Sequence, residues 1–248
     1  MVNKFLAFLR DNQGRGSGLS VKALGADEAT VYVYDVIDDF WGVGATEFVT
    51  ALDGITAGTI HLRINSPGGD VFAARAMVAA MQRHPARIIA HIDGLAASAA
   101  TFLAVAADEC EIAEGGFFMI HNGWTCTCGN ASDHQKTVDL LNKVDNSLVS
   151  DYRKKTALDE ETIRDWMGAE TWFTASEAIE NGFVDRLAEA PAKAENSFDL
   201  SVFGNAPKVL QPALSPDPRV APVEEGSSNE FGARYMAAGR TLKLLELG

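Results

Sequence analysis

Apolar and polar residues alternate in two early segments of the chain, and this alternation predicts β-strands. Residues 30–37 alternate and are rich in β-branched and aromatic side chains, and residues 60–64 show the same two-residue period. That period places every second side chain on one face of a strand. A third strand is predicted at 87–92, and Gly94, just after it, is expected to turn the chain.

Helical periodicity follows these strands. Apolar residues recur three and four positions apart between 132 and 155, which predicts a long amphipathic helix. Asp159 is placed to cap a helix that ends near Met167, and Thr174 with Glu177 has the spacing of a capping box. The other predicted elements are helices at 72–83 and 97–107 and short strands at 110–113 and 117–120. Strands that alternate with helices predict an α/β fold with a mostly parallel sheet.

The distribution of proline divides the chain. Six of the eight prolines lie beyond residue 190, among Ala, Ser and Glu, a composition typical of an extended and mostly disordered linker. We therefore predict an irregular arm at 1–29, a main domain at 30–187, a Pro-rich linker at 188–229 and a short helical tail at 230–248.

The net charge of the chain disfavours two classes of binding partner. The formal net charge of −13 repels nucleic acid and anionic lipid, so we expect neither as a partner. No apolar run is long enough to span a membrane, and the apolar patch at 5–9 is too short for a secretory signal. The odd count of three cysteines fits a reducing compartment, so we expect a cytoplasmic protein.

A pair of cysteines is the one sequence feature that suggests a metal. Cys126 and Cys128 could supply half of a site, but no second Cys or His pair lies at matching spacing. We therefore expect neither a metal nor another cofactor.

Three short motifs carry groups that could perform chemistry. Ser98 lies among small residues where a strand is predicted to meet a helix, and the first turn of a helix has backbone N–H groups without intrahelical partners. Gly68 and Gly69 follow another strand and can adopt conformations closed to other residues. His121 ends a very apolar strand, where burial keeps an imidazole neutral, as a general base requires. Each motif alone has an ordinary structural explanation, but together they supply the nucleophile, base and oxyanion donors of acyl transfer.

The same motifs, in the same order, resemble the ClpP peptidase family, and most closely its phage branch, the head maturation (prohead) proteases. The matching segments are residues 63–72 (RINSPGGDVF), 93–100 (DGLAASAA), 119–122 (MIHN) and 170–175 (ETWFTA). With a weaker match at 32–52, the resemblance covers about three quarters of the chain. It implies a ClpP/crotonase-like fold of repeated ββα and βαβ units, with 30–187 as the peptidase domain.

The resemblance also implies roles for individual residues. Ser98 corresponds to the nucleophile, His121 to the general base, and the backbone N–H groups of Gly69 and Ala99 to the oxyanion hole. It implies a homo-oligomeric ring that packs on another ring through the helix at 132–155. The implied substrates are proteins, with phage scaffold and capsid proteins as the leading candidates, cleaved in the host cytoplasm or inside the procapsid.

The chain departs from the family at the acidic residue of the triad. The family's acid lies just before the segment that matches Trp172 and Phe173, and this chain has Thr171 there, with Glu170 beside it. A threonine hydroxyl can hold the imidazole tautomer but cannot supply the charge that stabilises an imidazolium. We therefore expect a weaker triad with Thr171 as third member and Glu170 as the alternative, or a dyad if neither reaches His121.

Two other functions remain open at this point. A cellular ClpP-type proteolytic subunit would need a separate ATPase, because the chain has no Gly-x-x-x-x-Gly-Lys-Ser/Thr phosphate loop. A catalytically inactive scaffold or assembly protein is the non-enzyme alternative, and Thr171 is the feature that supports it. Acyl-CoA hydratases of the same superfamily lack the Ser–His pair and are disfavoured.

Overall fold

Helices and strands alternate along most of the chain. The computed structural model describes residues 4–25, 27–189 and 198–210. The elements are α1 (Lys4–Asn12), β1 (Gly18–Ala23), β2 (Glu28–Tyr34), α2 (Ala45–Asp53), β3 (Thr59–Ser66), α3 (Val71–Arg83), β4 (Arg87–Ala97), α4 (Ala100–Ala106), β5 (Glu109–Ile112), β6 (Phe117–Ile120), α5 (Ala131–Thr156), α6 (Glu160–Gly168), β7 (Thr171–Thr174), α7 (Ala175–Glu180) and β8 (Arg186–Leu187). A single 3₁₀ turn follows at Lys208–Leu210.

The described strands form one eight-stranded sheet in the order β1-β2-β3-β4-β5-β8. The strands from β2 to β8 along this order pair in parallel, and β1 is antiparallel to β2 at the edge. Strand β6 pairs with the last residues of β4, and β7 pairs antiparallel with β6. The predicted α/β class and mostly parallel sheet are therefore confirmed.

The alternation in β3 shows why the sheet forms a core. Ile60, Leu62 and Ile64 are almost fully buried under the helices, whereas His61 and Arg63 point to the opposite, polar face. On that face Arg63 forms an ion pair with the buried carboxylate of Asp93 on β4. Register is thus specified on both faces, because a slip of one residue would exchange buried and polar side chains.

Two predicted boundaries near the site are wrong. Strand β4 does not end at Gly94 but continues to Ala97, because its last three residues gain a partner in β6. Helix α4 consequently begins at Ala100, three residues later than predicted. Small residues at 94–100 are compatible with either structure, so local propensity did not decide between them.

The predicted irregular arm at 1–29 contains regular structure. It includes α1, with Phe8 and Leu9 buried, and β1, which pairs along its whole length with β2. Strand β1 is mostly exposed, so its sequence lacks the alternation that would have indicated a strand.

Part of the predicted linker is packed. Phe198 and Leu200 are fully buried, and Phe203 is nearly so. With Phe8 and Leu9 they form a second apolar cluster, separate from the main core that includes Ile60, Leu62 and Ile64. Burying three large side chains gives enough apolar contact to offset the entropy of ordering a short segment. Residues 190–197 and 211–229, and the tail predicted at 230–248, lie outside the described residues.

Helix α5 is long and buried only near its end. It spans 26 residues from a capping box at Asn130, and its buried residues are Leu148, Val149 and Tyr152. Most of its first half is exposed, with Val138 and Leu140 each about half accessible. Among the helices that the structure describes, none combines the length and apolar character needed to cross a membrane.

Candidate active site

Ser98 occupies the sharp connection between β4 and α4. Its backbone has φ of 52°, in the left-handed region that non-glycine residues rarely adopt. It precedes the N-terminal cap residue of α4, Ala99, and so does not lie on the first helical turn as predicted. Such strain is retained only where surrounding structure enforces it, and it is concentrated at functional sites.

The pairing of β4 with β6 brings Ser98 and His121 together. Ala97 is opposite Met119, and the Ser98 backbone N–H donates to the Met119 carbonyl at 2.9 Å. His121 follows the end of β6, so both side chains emerge at the same edge of the sheet. The Ser98 Oγ lies 2.7 Å from the His121 Nε2, within hydrogen-bonding distance.

The surroundings of His121 favour its neutral form. Burial lowers the pKa of His121 to about 4, and the negative charge of Glu170 opposes this shift only in part. A neutral imidazole that accepts the Ser98 proton on Nε2 carries its own proton on Nδ1. The pair therefore has the geometry and protonation of a hydroxyl nucleophile and its general base.

The Gly68–Gly69 loop lies directly against Ser98. Gly68 has φ of 91°, and a Cβ added there would lie 2.6 Å from the Ala97 carbonyl oxygen and 2.8 Å from the Ser98 Cβ. Only glycine permits this approach without displacing the nucleophile. Gly69 has φ of 147° and lies against the backbone of Ile37, where a Cβ would be 2.1 Å from the carbonyl oxygen.

Two backbone N–H groups near Ser98 have no acceptor among the described residues, those of Gly69 and Ala99. Ile37 takes its hydrogen bonds from the residues on either side of Gly69, donating to the Gly68 carbonyl and accepting from the Asp70 N–H. The Gly69 N–H is therefore directed away from Ile37. These two donors are the ones that the sequence analysis predicted for the oxyanion hole.

The structure does not form the predicted hydrogen bond between Thr171 and His121. The Thr171 hydroxyl donates to the Trp166 carbonyl at 2.8 Å, and the His121 Nδ1 has no hydrogen bond to any residue the structure describes. Thr171 begins β7 opposite Ile120, so the strand pairing directs it toward α6 instead of the imidazole. Glu170 affects His121 through its charge, but its carboxylate accepts hydrogen bonds from the backbone of Gly204 and Asn205.

Sequence reasoning missed Phe5 and Phe203, two of the aromatic residues that surround the pair. Ser98 and His121 share a cavity of about 30 Å³ with Phe5 and Trp124, and Phe203 packs edge-on against the imidazole with ring centroids 5.6 Å apart. The apolar patch at 5–9 was noted only as a poor secretion signal. The spacing of Phe198, Leu200 and Phe203 within the Pro-rich region was the other available signal.

Comparison with known proteins agrees with this geometry. A family model described as Clp protease matches residues 20–191. The ATP-dependent Clp protease proteolytic subunit 1 of Leifsonia xyli subsp. xyli is 30% identical over 133 residues, which are 53% of this chain and 68% of that protein. The corresponding subunit 2 of Tropheryma whipplei is 32% identical over 130 residues, 52% of this chain and 72% of that protein.

The matched region contains every element that positions the serine and the histidine, from β2 to β8. The expected ClpP-like α/β fold and the expected class of activity are therefore confirmed. The chain belongs to the Clp protease family and is a serine-type peptidase of the ClpP type.

Proposed function

We propose that Ser98 and His121 hydrolyse peptide bonds through an acyl-enzyme intermediate. The observation that carries the proposal is the 2.7 Å contact between the Ser98 Oγ and the His121 Nε2. The strained serine backbone and the two donor groups of Gly69 and Ala99 support it. Together these groups would supply the nucleophile, base and electrostatic stabiliser of acyl transfer.

In the proposed mechanism the Ser98 Oγ attacks the scissile carbonyl while His121 Nε2 takes the hydroxyl proton. The N–H groups of Gly69 and Ala99 donate to the oxyanion of the tetrahedral intermediate. The imidazolium then returns the proton to the leaving amine, and the C–N bond breaks. Water, deprotonated by the same imidazole, attacks the acyl-serine, and the serine regains its proton when the ester bond breaks.

A fluorophosphonate probe tests the activated serine directly. We expect purified full-length protein to form an adduct that peptide mass spectrometry locates on Ser98, and Ser98→Ala to remove it. A folded sample that forms no adduct on Ser98 even on prolonged incubation would contradict the proposal and favour the inactive scaffold alternative.

Thr171→Val is expected to change peptide hydrolysis by less than about tenfold. A third triad member that holds the imidazole tautomer is worth about 10⁴ in rate, but the Thr171 hydroxyl is bonded to Trp166 instead. Steady-state hydrolysis of a fluorogenic peptide measures the effect, with Thr171→Ser as the variant that keeps the hydroxyl. A loss near 10⁴ in Thr171→Val, but not in Thr171→Ser, would show that Thr171 is a member of the triad.

We propose instead a Ser–His dyad that Glu170 assists by its charge.

The pH dependence of Ser98 labelling is expected to reflect the low pKa of His121. The base must be neutral, and its pKa is about 4, so the rate should stay constant as pH falls through 6 and decline only near pH 4. Glu170 and Lys4 line a second, larger cavity beside His121, of about 330 Å³, and the carboxylate raises the pKa of the imidazole. A labelling rate that falls with a midpoint at about pH 6.5, the pKa of an unperturbed histidine, would contradict burial of the base. Circular dichroism at each pH serves as the control for folding.

For the biological role, we propose processing of phage scaffold and capsid proteins during head maturation by a homo-oligomeric ring. The proposal is supported by the phage-like segments at 63–72, 93–100, 119–122 and 170–175. A cellular role with a separate ATPase is the second candidate, because the similar proteins named above are proteolytic subunits of ATP-dependent proteases.

The two roles differ in their need for ATP. We expect candidate scaffold and capsid proteins to be cleaved without nucleotide, and Ser98→Ala to abolish this cleavage. Cleavage only in the presence of an unfoldase ATPase and ATP would favour the cellular role. Sedimentation of the same sample tests the expected ring.

A further inference from the structure

Two segments outside the Ser98–His121 pair lie over it from opposite ends of the described chain. They are α1 (Lys4–Asn12) and residues 198–210, and together we name them the cap. Phe8 and Phe203 join them, with ring centroids 5.7 Å apart, inside the second apolar cluster.

A buried polar contact also joins the two halves of the cap. The Asn12 side chain is fully buried, donates to the Asp199 carbonyl at 2.9 Å and accepts from the Asp199 N–H at 2.7 Å. A buried amide is costly to leave without hydrogen bonds, so this pair favours movement of the two segments as one unit. The Asn12 amide also donates to the Phe8 carbonyl, which anchors it to α1.

The cap contacts the candidate site through two aromatic side chains. Phe5 packs perpendicular to Trp124, with centroids 5.5 Å apart, and both line the cavity that holds Ser98 and His121. Phe203 packs against His121 on one side and Trp172 on the other, with centroids 5.6 Å and 5.7 Å away.

Cap residues line two cavities beside the pair. The larger, of about 330 Å³, is lined by His121 but not by Ser98. The cavity that Ser98 lines has a volume of about 30 Å³, whereas sites that bind small organic ligands measure roughly 300–1,000 Å³. A scissile peptide bond with one flanking side chain therefore cannot reach Ser98 past Phe5.

The cap also engages the nearest carboxylate. The Glu170 Oε2 accepts from the Gly204 N–H at 3.0 Å and its Oε1 from the Asn205 N–H at 2.7 Å. The Asn205 side chain donates to the adjacent Ala169 carbonyl at 2.7 Å. Glu170 thus binds the cap backbone while His121 Nδ1 lacks a hydrogen-bond acceptor among the described residues.

From these contacts we propose that the cap is an autoinhibitory element: α1 and residues 198–210 close the peptidase site and must move away together before a peptide can bind. The inference rests on the proposed role of Ser98 and His121. Opening removes Phe5 and Phe203 from the site and breaks the hydrogen bonds from Gly204 and Asn205 to the Glu170 carboxylate, which keeps the one from the Trp172 Nε1–H.

The test compares two cap variants with a matched control in the full-length protein. Phe5→Ala and Phe203→Ala remove the two side chains that close the site, and Val209→Ala removes an exposed apolar side chain of the same segment. The rate of Ser98 labelling by a fluorophosphonate is expected to rise at least about tenfold in Phe203→Ala, because truncating a buried aromatic side chain shifts an opening equilibrium by more than that factor. A smaller rise is expected in Phe5→Ala, because Phe5 is only partly buried. Val209→Ala should label at the wild-type rate.

Amide hydrogen exchange supplies a readout that does not depend on catalysis. Peptides from 4–12 and 198–210 should exchange at matching rates, and both should accelerate in Phe203→Ala. Provided that the wild type labels, equal or lower labelling rates in both folded variants would overturn the cap proposal, and so would unchanged exchange at 4–12 in Phe203→Ala. Accelerated exchange without Ser98 labelling in any variant would instead uphold the cap and contradict the proposed catalytic pair.

Discussion

Replacing Ser98 by Ala is expected to lower the hydrolysis of a fluorogenic peptide by about 10⁵–10⁶-fold, and His121→Ala is expected to cause a loss of similar size. The nucleophile and its base act as one unit, because the Ser98 hydroxyl gains nucleophilicity only as His121 takes its proton. The double variant should therefore be no slower than either single variant. A residual rate above that of water is expected from the N–H groups of Gly69 and Ala99, which both substitutions leave in place.

The matched control for this series is Ser176→Ala, which removes an exposed serine hydroxyl in α7. It should hydrolyse the peptide at the wild-type rate. If the losses in Ser98→Ala and His121→Ala multiplied in the double variant, the two residues would act independently. That outcome would contradict the proposed transfer of a proton between them.

Gly68→Ala is expected to reduce peptide hydrolysis by at least about 10²-fold, because displacing a reacting group by about 1 Å has an effect of this size. The new Cβ would lie 2.8 Å from the Ser98 Cβ and 2.6 Å from the Ala97 carbonyl oxygen, both closer than real Cβ contacts. The φ of 91° adds strain for any residue with a side chain. The loop and the nucleophile must therefore separate.

Gly54→Ala is the control, because a Cβ there meets its nearest neighbours at 3.5 Å and φ is −79°. It should leave activity unchanged and slightly stabilise the fold by restricting the unfolded chain. Thermal unfolding of both variants separates a local effect from loss of the fold. Wild-type activity in folded Gly68→Ala would contradict the close packing of this loop on Ser98.

A low labelling rate in the wild type does not by itself distinguish a closed active site from an inactive protein. A closed site explains a low labelling rate in wild-type protein without requiring a defective catalytic pair. The same low rate is what an inactive scaffold protein would show. The Phe203→Ala variant distinguishes them, since only a competent pair would gain activity when the aromatic ring is removed.

Many elements of the fold could be predicted from local patterns. The two-residue period in β3, the cap at Asp159 and the capping box at Thr174 each involve residues only a few positions apart. The structure confirms helices and strands at these positions. Ser98 and His121 could be singled out because their motifs also appeared in the order typical of a family.

The predictions that were wrong have a different physical cause, which is pairing and packing between segments that are distant along the chain. The end of β4 depends on its pairing with β6, more than twenty residues away, and the packing of 198–210 depends on α1 at the other end of the chain. The sequence around Phe203 resembles a linker because six of the eight prolines lie between residues 190 and 222. Only the presence of Phe8 and His121 beside it makes burial favourable.

The sequence by itself determined the α/β class and most of the strands and helices between residues 30 and 187, although not α2, β7 or β8. It also singled out Ser98, His121 and the pair Gly68 and Gly69 as candidate site residues. These features follow from periodicity and short motifs, whose causes are local. Only the tertiary structure decided that Thr171 faces Trp166, that Glu170 binds the backbone of Gly204 and Asn205, and that Phe5 and Phe203 close the cavity. Such contacts join segments that are far apart along the chain, and their formation depends on packing that no local pattern encodes.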